Sequence, residues 1–202
     1  MKKCMLFLLP VSLLVASDQP VQKTYLLSKE YAVTIDGTSN LRNWQEKVGE
    51  VTGDVAAVVN EDETVDLLSI RISMQVLSIK SDMGKVMDNK TYEALKAATH
   101  PEILFALSRP LRLTQVRDGQ ITIPVKGDLT LAGVQKPVIM LVKTFEISRG
   151  VLQFEGSQTL KMTDYGVKPP SALFGTMRAG PDITIHFKIN FINQSVITTL
   201  KN

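Results

Sequence analysis

Ile183-Thr184-Ile185-His186-Phe187-Lys188-Ile189-Asn190-Phe191 carries an apolar side chain at every second position and a polar one between. Successive side chains of a strand point to opposite faces. This period therefore puts all the apolar residues on one side and leaves Thr184, His186, Lys188 and Asn190 on the other. The stretch reads as a half-buried β-strand. The alternation recurs upstream, at Ile70, Ile72, Met74 and Val76 against Ser69, Arg71, Ser73 and Gln75. It recurs again at Ile121, Ile123 and Val125, running on to Leu129 and Leu131. Phe154, Leu160 and Met162 repeat it more weakly. Further strands are expected at 31–35, 50–59, 103–107, 111–116 and 138–147, set apart by turn-forming clusters such as Asn60-Glu61-Asp62-Glu63, Arg117-Asp118-Gly119 and Arg149-Gly150.

No long helices separate these strands, as βαβ crossovers would require, so the chain is all-β and its sheet antiparallel. One or two short helices cannot cover an apolar sheet face, and the sheet must cover itself. Closing about eight antiparallel strands gives a barrel whose interior is either just filled by side chains or holds one small ligand. Periodicity cannot separate a filled core from a hollow one.

One helix is expected from Asn89 to Ala98, with Asp88 as N-cap and Met87 and Tyr92 as a hydrophobic staple. It should stop before His100-Pro101, because a residue preceding proline avoids the helical region. A second short turn is expected in Thr38–Trp44, with Leu41 and Trp44 on one face. These two segments are the expected lids of a barrel mouth. Val138-Ile139-Met140-Leu141-Val142 is apolar on both faces, so its outer face should meet a helix lid or the second subunit of a homodimer.

The chain opens on a basic Met1-Lys2-Lys3, an apolar run from Cys4 to Ala16 and the small residues Val15-Ala16-Ser17. This is the pattern of a signal peptide spanning 1–17. A transmembrane span needs about 20 apolar residues, and this run is about 13 long and contains Pro10. Cys4 lies too far forward for a lipoprotein cleavage site. The expectation is a cleaved leader, a periplasmic or secreted protein, and one domain over 18–202. Cleavage would remove the only cysteine and two lysines, taking the formal charge from +3 to +1. Neither disulfide nor thiol chemistry is then available. Positive and negative residues are interspersed with no basic stripe, so nucleic acid is not an expected partner.

Motifs for catalysis are missing from the sequence: there is no Gly-x-Ser-x-Gly elbow, P-loop or dinucleotide fingerprint. His100 and His186 are the only histidines and belong to no metal-ligand pattern. No catalytic residue, metal or cofactor is expected, and the protein is not expected to be an enzyme.

Four further blocks, in order, carry a resemblance. They are Ser39-x-Leu41-x-x-Trp44; Met87 to Leu95, leading into His100-Pro101-Glu102-Ile103-Leu104-Phe105; Gly127 to Pro137; and Thr163-Asp164-Tyr165-Gly166-Val167. Together they resemble the YceI-like polyisoprenoid-binding proteins over roughly Tyr31 to Phe191. The resemblance implies an extended, lipocalin-like barrel, exported to the periplasm. It also implies an apolar channel for an isoprenoid chain, such as a polyprenyl phosphate or a quinone tail, held for sequestration or transport. Each buried methylene would contribute about 0.8 kcal/mol, so retention needs no covalent chemistry. The expected partners are therefore an isoprenoid lipid or quinone, a homodimer partner and a membrane touched transiently.

Within these blocks Leu41, Trp44, Met87, Tyr92 and Leu95 are the lid candidates, and Phe105, Phe154 and Phe174 the candidate channel walls. Lys136, Lys168 and Arg178 are loop cations placed to meet a charged head group. Tyr165 stands where the family commonly has Phe, adding a hydroxyl that would polarise one end of the channel. The loop from Lys168 to Gly175 is long enough to gate a mouth, although its two prolines equally suit a rigid connector. Two other classes remain open from the residues alone: a hydrolytic enzyme acting on such lipids, and a filled-core structural or interaction protein.

Overall fold

Strand pairing, followed from the first strand onward, returns to where it began. The computed structural model describes residues 21–62, 64–114, 121–144 and 150–194. The leader expected at 1–17, and the strand ends expected at 115–116 and 145–147, lie outside the described residues. The first eight strands are β1 (Gln22–Leu27), β2 (Ala32–Ser39), β3 (Trp44–Val48), β4 (Val51–Val59), β5 (Val65–Gln75), β6 (Ile79–Ser81), β7 (Glu102–Leu107) and β8 (Leu111–Leu113). The rest are β9 (Ile121–Leu131), β10 (Val134–Thr144), β11 (Val151–Lys161), β12 (Ser171–Ala172) and β13 (Met177–Asn193). The order β1, β4, β5, β7, β9, β10, β11, β13 closes through antiparallel pairing of β13 back to β1. The result is an up-and-down barrel of eight staves.

The remaining strands mostly prolong these staves. β2 continues β1, β3 continues β4, β6 continues β5, and β7 and β8 lie end to end against β5. Three of the breaks sit side by side, at 28–31, 49–50 and 76–78. The Tyr31 hydroxyl spans one of them, donating to the Gly49 carbonyl (2.7 Å) and accepting from the Val51 amide (3.1 Å). The Glu50 amide is met by the Ser78 hydroxyl at 2.8 Å. Backbone groups that the ladder leaves unpaired are thereby satisfied.

β13 runs the length of the barrel, pairing with β11 on one side and with β1 and β2 on the other. Its alternating residues behave as expected: Ile183, Ile189 and Phe191 are buried, and His186 and Lys188 are exposed. β9 and β10 form a hairpin through Ala132 (φ 50°) and Gly133 (φ 83°), the paired positive φ of a two-residue primed turn.

Three expectations are corrected. The helix α1 spans Lys85–Ala94, not Asn89–Ala98, and Gly84 (φ 83°) precedes it. Asp88 is no cap: it is buried in the first turn, where its Oδ1 accepts from the Ser81 amide at 2.8 Å. Met87 and Tyr92 consequently form no staple. Thr38–Trp44 is not helical either. β2 extends to Ser39, whose hydroxyl receives the Leu41 and Arg42 amides (3.2 and 3.1 Å) in a tight turn, and Trp44 opens β3. Finally, among the described residues no α-helix covers the outer face of β10. α1 packs on β6 and β12, while Ile139 and Leu141 are 59% and 64% exposed.

Candidate functional site

The inward residues of the staves enclose a cavity of about 90 Å³ in the middle of the barrel. Phe105, Phe154, Phe187, Phe191, Met74 and Met140 line it among valines, leucines and isoleucines. Gln158 is the one polar side chain in the lining, on the inward phase of β11 between Phe154 and Leu160. Its amide donates to the neighbouring Thr159 carbonyl at 2.9 Å.

Inward glycines let the aromatic rings lie against the wall instead of across the lumen. A Cβ added at Gly127 would stand 2.2 Å from the Phe105 ring, and one at Gly156 would stand 2.8 Å from the Phe187 ring. Both rings occupy space that any other residue would fill, and the central cavity lies beside them. The edge-to-face pair Phe154 and Phe191, 6.1 Å between centroids, stiffens the same wall.

Two smaller cavities, of about 50 and 30 Å³, continue toward α1. Ile185 separates the first of them from the lumen, since it lines both. Trp44, Glu46, Thr91 and Pro170 line both small cavities. Trp44 is half-buried, and its indole nitrogen donates to the Thr38 carbonyl at 2.9 Å. Glu46 is 5% exposed, with one carboxyl oxygen accepting from the Thr91 hydroxyl. Burial pushes its pKa above the usual carboxylate range, and the charges of Asp88 and Asp82 add to the shift. On the surface, Trp44 also borders a cleft carrying Asp36, Asp82 and Asp182.

Phe105 and Phe154 line the lumen, Trp44 and Met87 line the smallest cavity, and Trp44 and Leu95 line the one between. Tyr92 lies instead in an outer groove beside Leu77 and Lys96. Its hydroxyl is 2.9 Å from the carbonyl oxygens of both Leu77 and Ile79, and the Lys80 ammonium stands 5.1 Å from its ring centroid. Leu41 is 58% exposed and Phe174 fully exposed, and neither borders these cavities. Each sits on a turn whose backbone carries it outward.

Lys136, Lys168 and Arg178 are exposed and line none of the cavities; the Arg178 guanidinium donates to the Gly175 carbonyl at 3.0 Å. Tyr165 is buried but borders none of the three cavities. Residues 171–172 pair with Arg178 and Met177, so the expected gating loop is partly strand, and Pro170 serves as wall. Glu46 is not among the residues expected from sequence; its signal is a carboxylate between Trp44 and Val48 on the buried phase of β3. Among the described residues, no three His, Cys, Asp or Glu side chains gather as metal ligands.

Solved structures with the same architecture include a polyisoprenoid binding domain from Saccharophagus degradans, implicated in plant cell wall breakdown. It has a TM-score of 0.67 and 10% identity, with 86% of this chain and 99% of that one covered. Burkholderia cenocepacia BcnA aligns with a TM-score of 0.59 and 17% identity over 80% of this chain and 96% of that one. The Campylobacter jejuni YCEI protein follows at 0.55 and 15%, over 74% and 84%. At these identities the likeness speaks to the fold. No curated protein matches the chain. The sequence profile of the YceI-like domain matches residues 29–191, from just before β2 almost to the end of β13, and the chain belongs to that family.

Proposed function

We propose that the protein is a carrier that holds the tail of an isoprenoid lipid in its lumen, for sequestration or transport. The apolar lining of the central cavity carries this reading: a hydrocarbon chain there loses nothing polar to water and gains about 0.8 kcal/mol per methylene. That a related fold is a polyisoprenoid binding domain supports it. Specificity would lie in length and shape, because Gln158 alone offers polar contact in the lining.

The lumen is smaller than the about 300–1,000 Å³ of typical ligand pockets, so a guest enters by parting side chains. Met74 and Met140 are suited to that, being unbranched and able to re-pack. The leader pattern at 1–17 supports export of the carrier to the periplasm or beyond. No constellation in the site supports the hydrolytic alternative. Met140→Trp tests the reading, because it fills the lumen from one wall. The folded variant should fail to co-elute with a polyprenol that the wild type retains on gel filtration. Equal retention would place the lipid elsewhere and defeat the proposal.

A further inference from the structure

The path from the lumen to the surface changes character beneath α1. The central cavity is apolar, but beyond Ile185 the two small cavities share Glu46, whose second carboxyl oxygen is bonded to no described residue. Outside, the cleft bordered by Trp44 carries Asp36, Asp82 and Asp182 and no lysine or arginine. The charged groups around Glu46 have one prevailing sign. Asp88 faces it from α1 and Asp82 from the turn after β6, while β2 offers Ile35 and β6 offers Ser81. Lys80 is engaged with Asp88 at 3.5 Å and with the Tyr92 hydroxyl, and Lys168 is exposed.

We infer that the cavities beneath α1 receive the head group of the isoprenoid, and that Glu46 selects a neutral, hydrogen-bond-accepting head, such as a quinone carbonyl, over a phosphate. The inference rests on the carrier reading above. A carboxyl group buried among other carboxylates favours its acid form, and that form has a proton to donate. A quinone oxygen accepts it. A phosphate brought to the same place would find no cation lining either cavity to neutralise it, and would lie near the Asp82 carboxylate, whose like charge repels it.

The test uses the purified full chain and three probes presented in one detergent: menaquinone, undecaprenyl phosphate and squalene, which has a tail and no head. Affinities are read by co-elution and by quenching of Trp44, the only tryptophan. Menaquinone should bind about tenfold more tightly than squalene, the equivalent of one net hydrogen bond, and undecaprenyl phosphate more weakly than either. Glu46→Gln keeps an amide donor and should keep the menaquinone preference. Glu46→Leu should erase the preference and leave squalene binding intact, which also reports that the variant folds. Undecaprenyl phosphate binding as tightly as menaquinone, or Glu46→Leu leaving the preference unchanged, would overturn the head-group inference while leaving the carrier standing. If none of the three probes binds, the carrier reading itself fails.

Discussion

The indole of Trp44 lies over Gly37, its cross-strand partner, so closely that a Cβ on residue 37 would stand 2.1 Å from the ring. The contact joins β2 to β3 beside the two small cavities that border α1. It also fixes the tryptophan, with its nitrogen bonded to the Thr38 carbonyl, between the outer cleft and the two small cavities. Gly37→Ala must push the ring inward or outward. It should cost about 1–3 kcal/mol, as overpacking typically does, and shift Trp44 emission; thermal unfolding followed by fluorescence reads both. An unchanged midpoint would show the contact to be slack.

Trp44→Ala removes the same ring and opens the side of both small cavities. Because Trp44 is only half-buried, the loss of stability should stay below the about 3–5 kcal/mol of a core Trp→Ala change. Lipid off-rates should rise several-fold. Collapse of the fold with unchanged retention in the folded fraction would make Trp44 core and not lid.

Glu46 has a pKa raised above its usual 4.5. The stability its acid form contributes is therefore fully present below the unfolded value and lost as pH rises through the folded one. Glu46→Gln should abolish that decline and leave the protein more stable than wild type at neutral pH. Urea midpoints measured across pH 4 to 8 provide the check, and a variant less stable at every pH would contradict the burial of the charge.

Asp66 works in the opposite direction. Arg112 grips it through two hydrogen bonds of 2.6 and 2.7 Å, with Asn60 adding a third, and its pKa is held down to about 2. Its contribution is present above the ordinary carboxylate value of 3.8 and disappears as pH falls through about 2. Asp66→Asn should flatten the acid limb of the stability curve. An NMR titration of the Asp66 carboxyl with a midpoint near 3.8 would contradict the clamp.

Ile139 and Leu141 project from β10 into solvent in the single chain. Ile139→Lys with Leu141→Lys should change monomer stability by no more than about 0.5 kcal/mol, as exposed substitutions do. A midpoint that falls markedly, and depends on protein concentration in the wild type alone, would show instead that the face is covered by a second copy.

The strands legible in the sequence are those whose inward positions are all apolar, such as Ile183 to Phe191 and Ile70 to Val76. β3 escaped because its inward set is Trp44, Glu46 and Val48, a carboxylate where the pattern demands a hydrophobe. β2 runs beyond the expected 31–35 because Gly37, inward and buried, has no side chain to extend the alternation. The helix begins about one turn before the position that Asp88 suggests, because Asp88 has the chemistry of a cap while its carboxylate turns back to Ser81, a contact between elements that no local pattern carries. Phe105 and Phe154 were identifiable as walls, but the space they border depends on which residues face Gly127 and Gly156 across the sheet. That is a matter of register, not of composition.

The central claim is that the lumen holds an isoprenoid tail. The most direct measurement is to purify the full-length protein from its own cells under mild conditions, extract it with organic solvent and identify what is released by mass spectrometry. The account predicts an isoprenoid lipid at about one molecule per barrel, lost in Met140→Trp. A lipid-free extract from a protein that also takes up no added isoprenoid would contradict it.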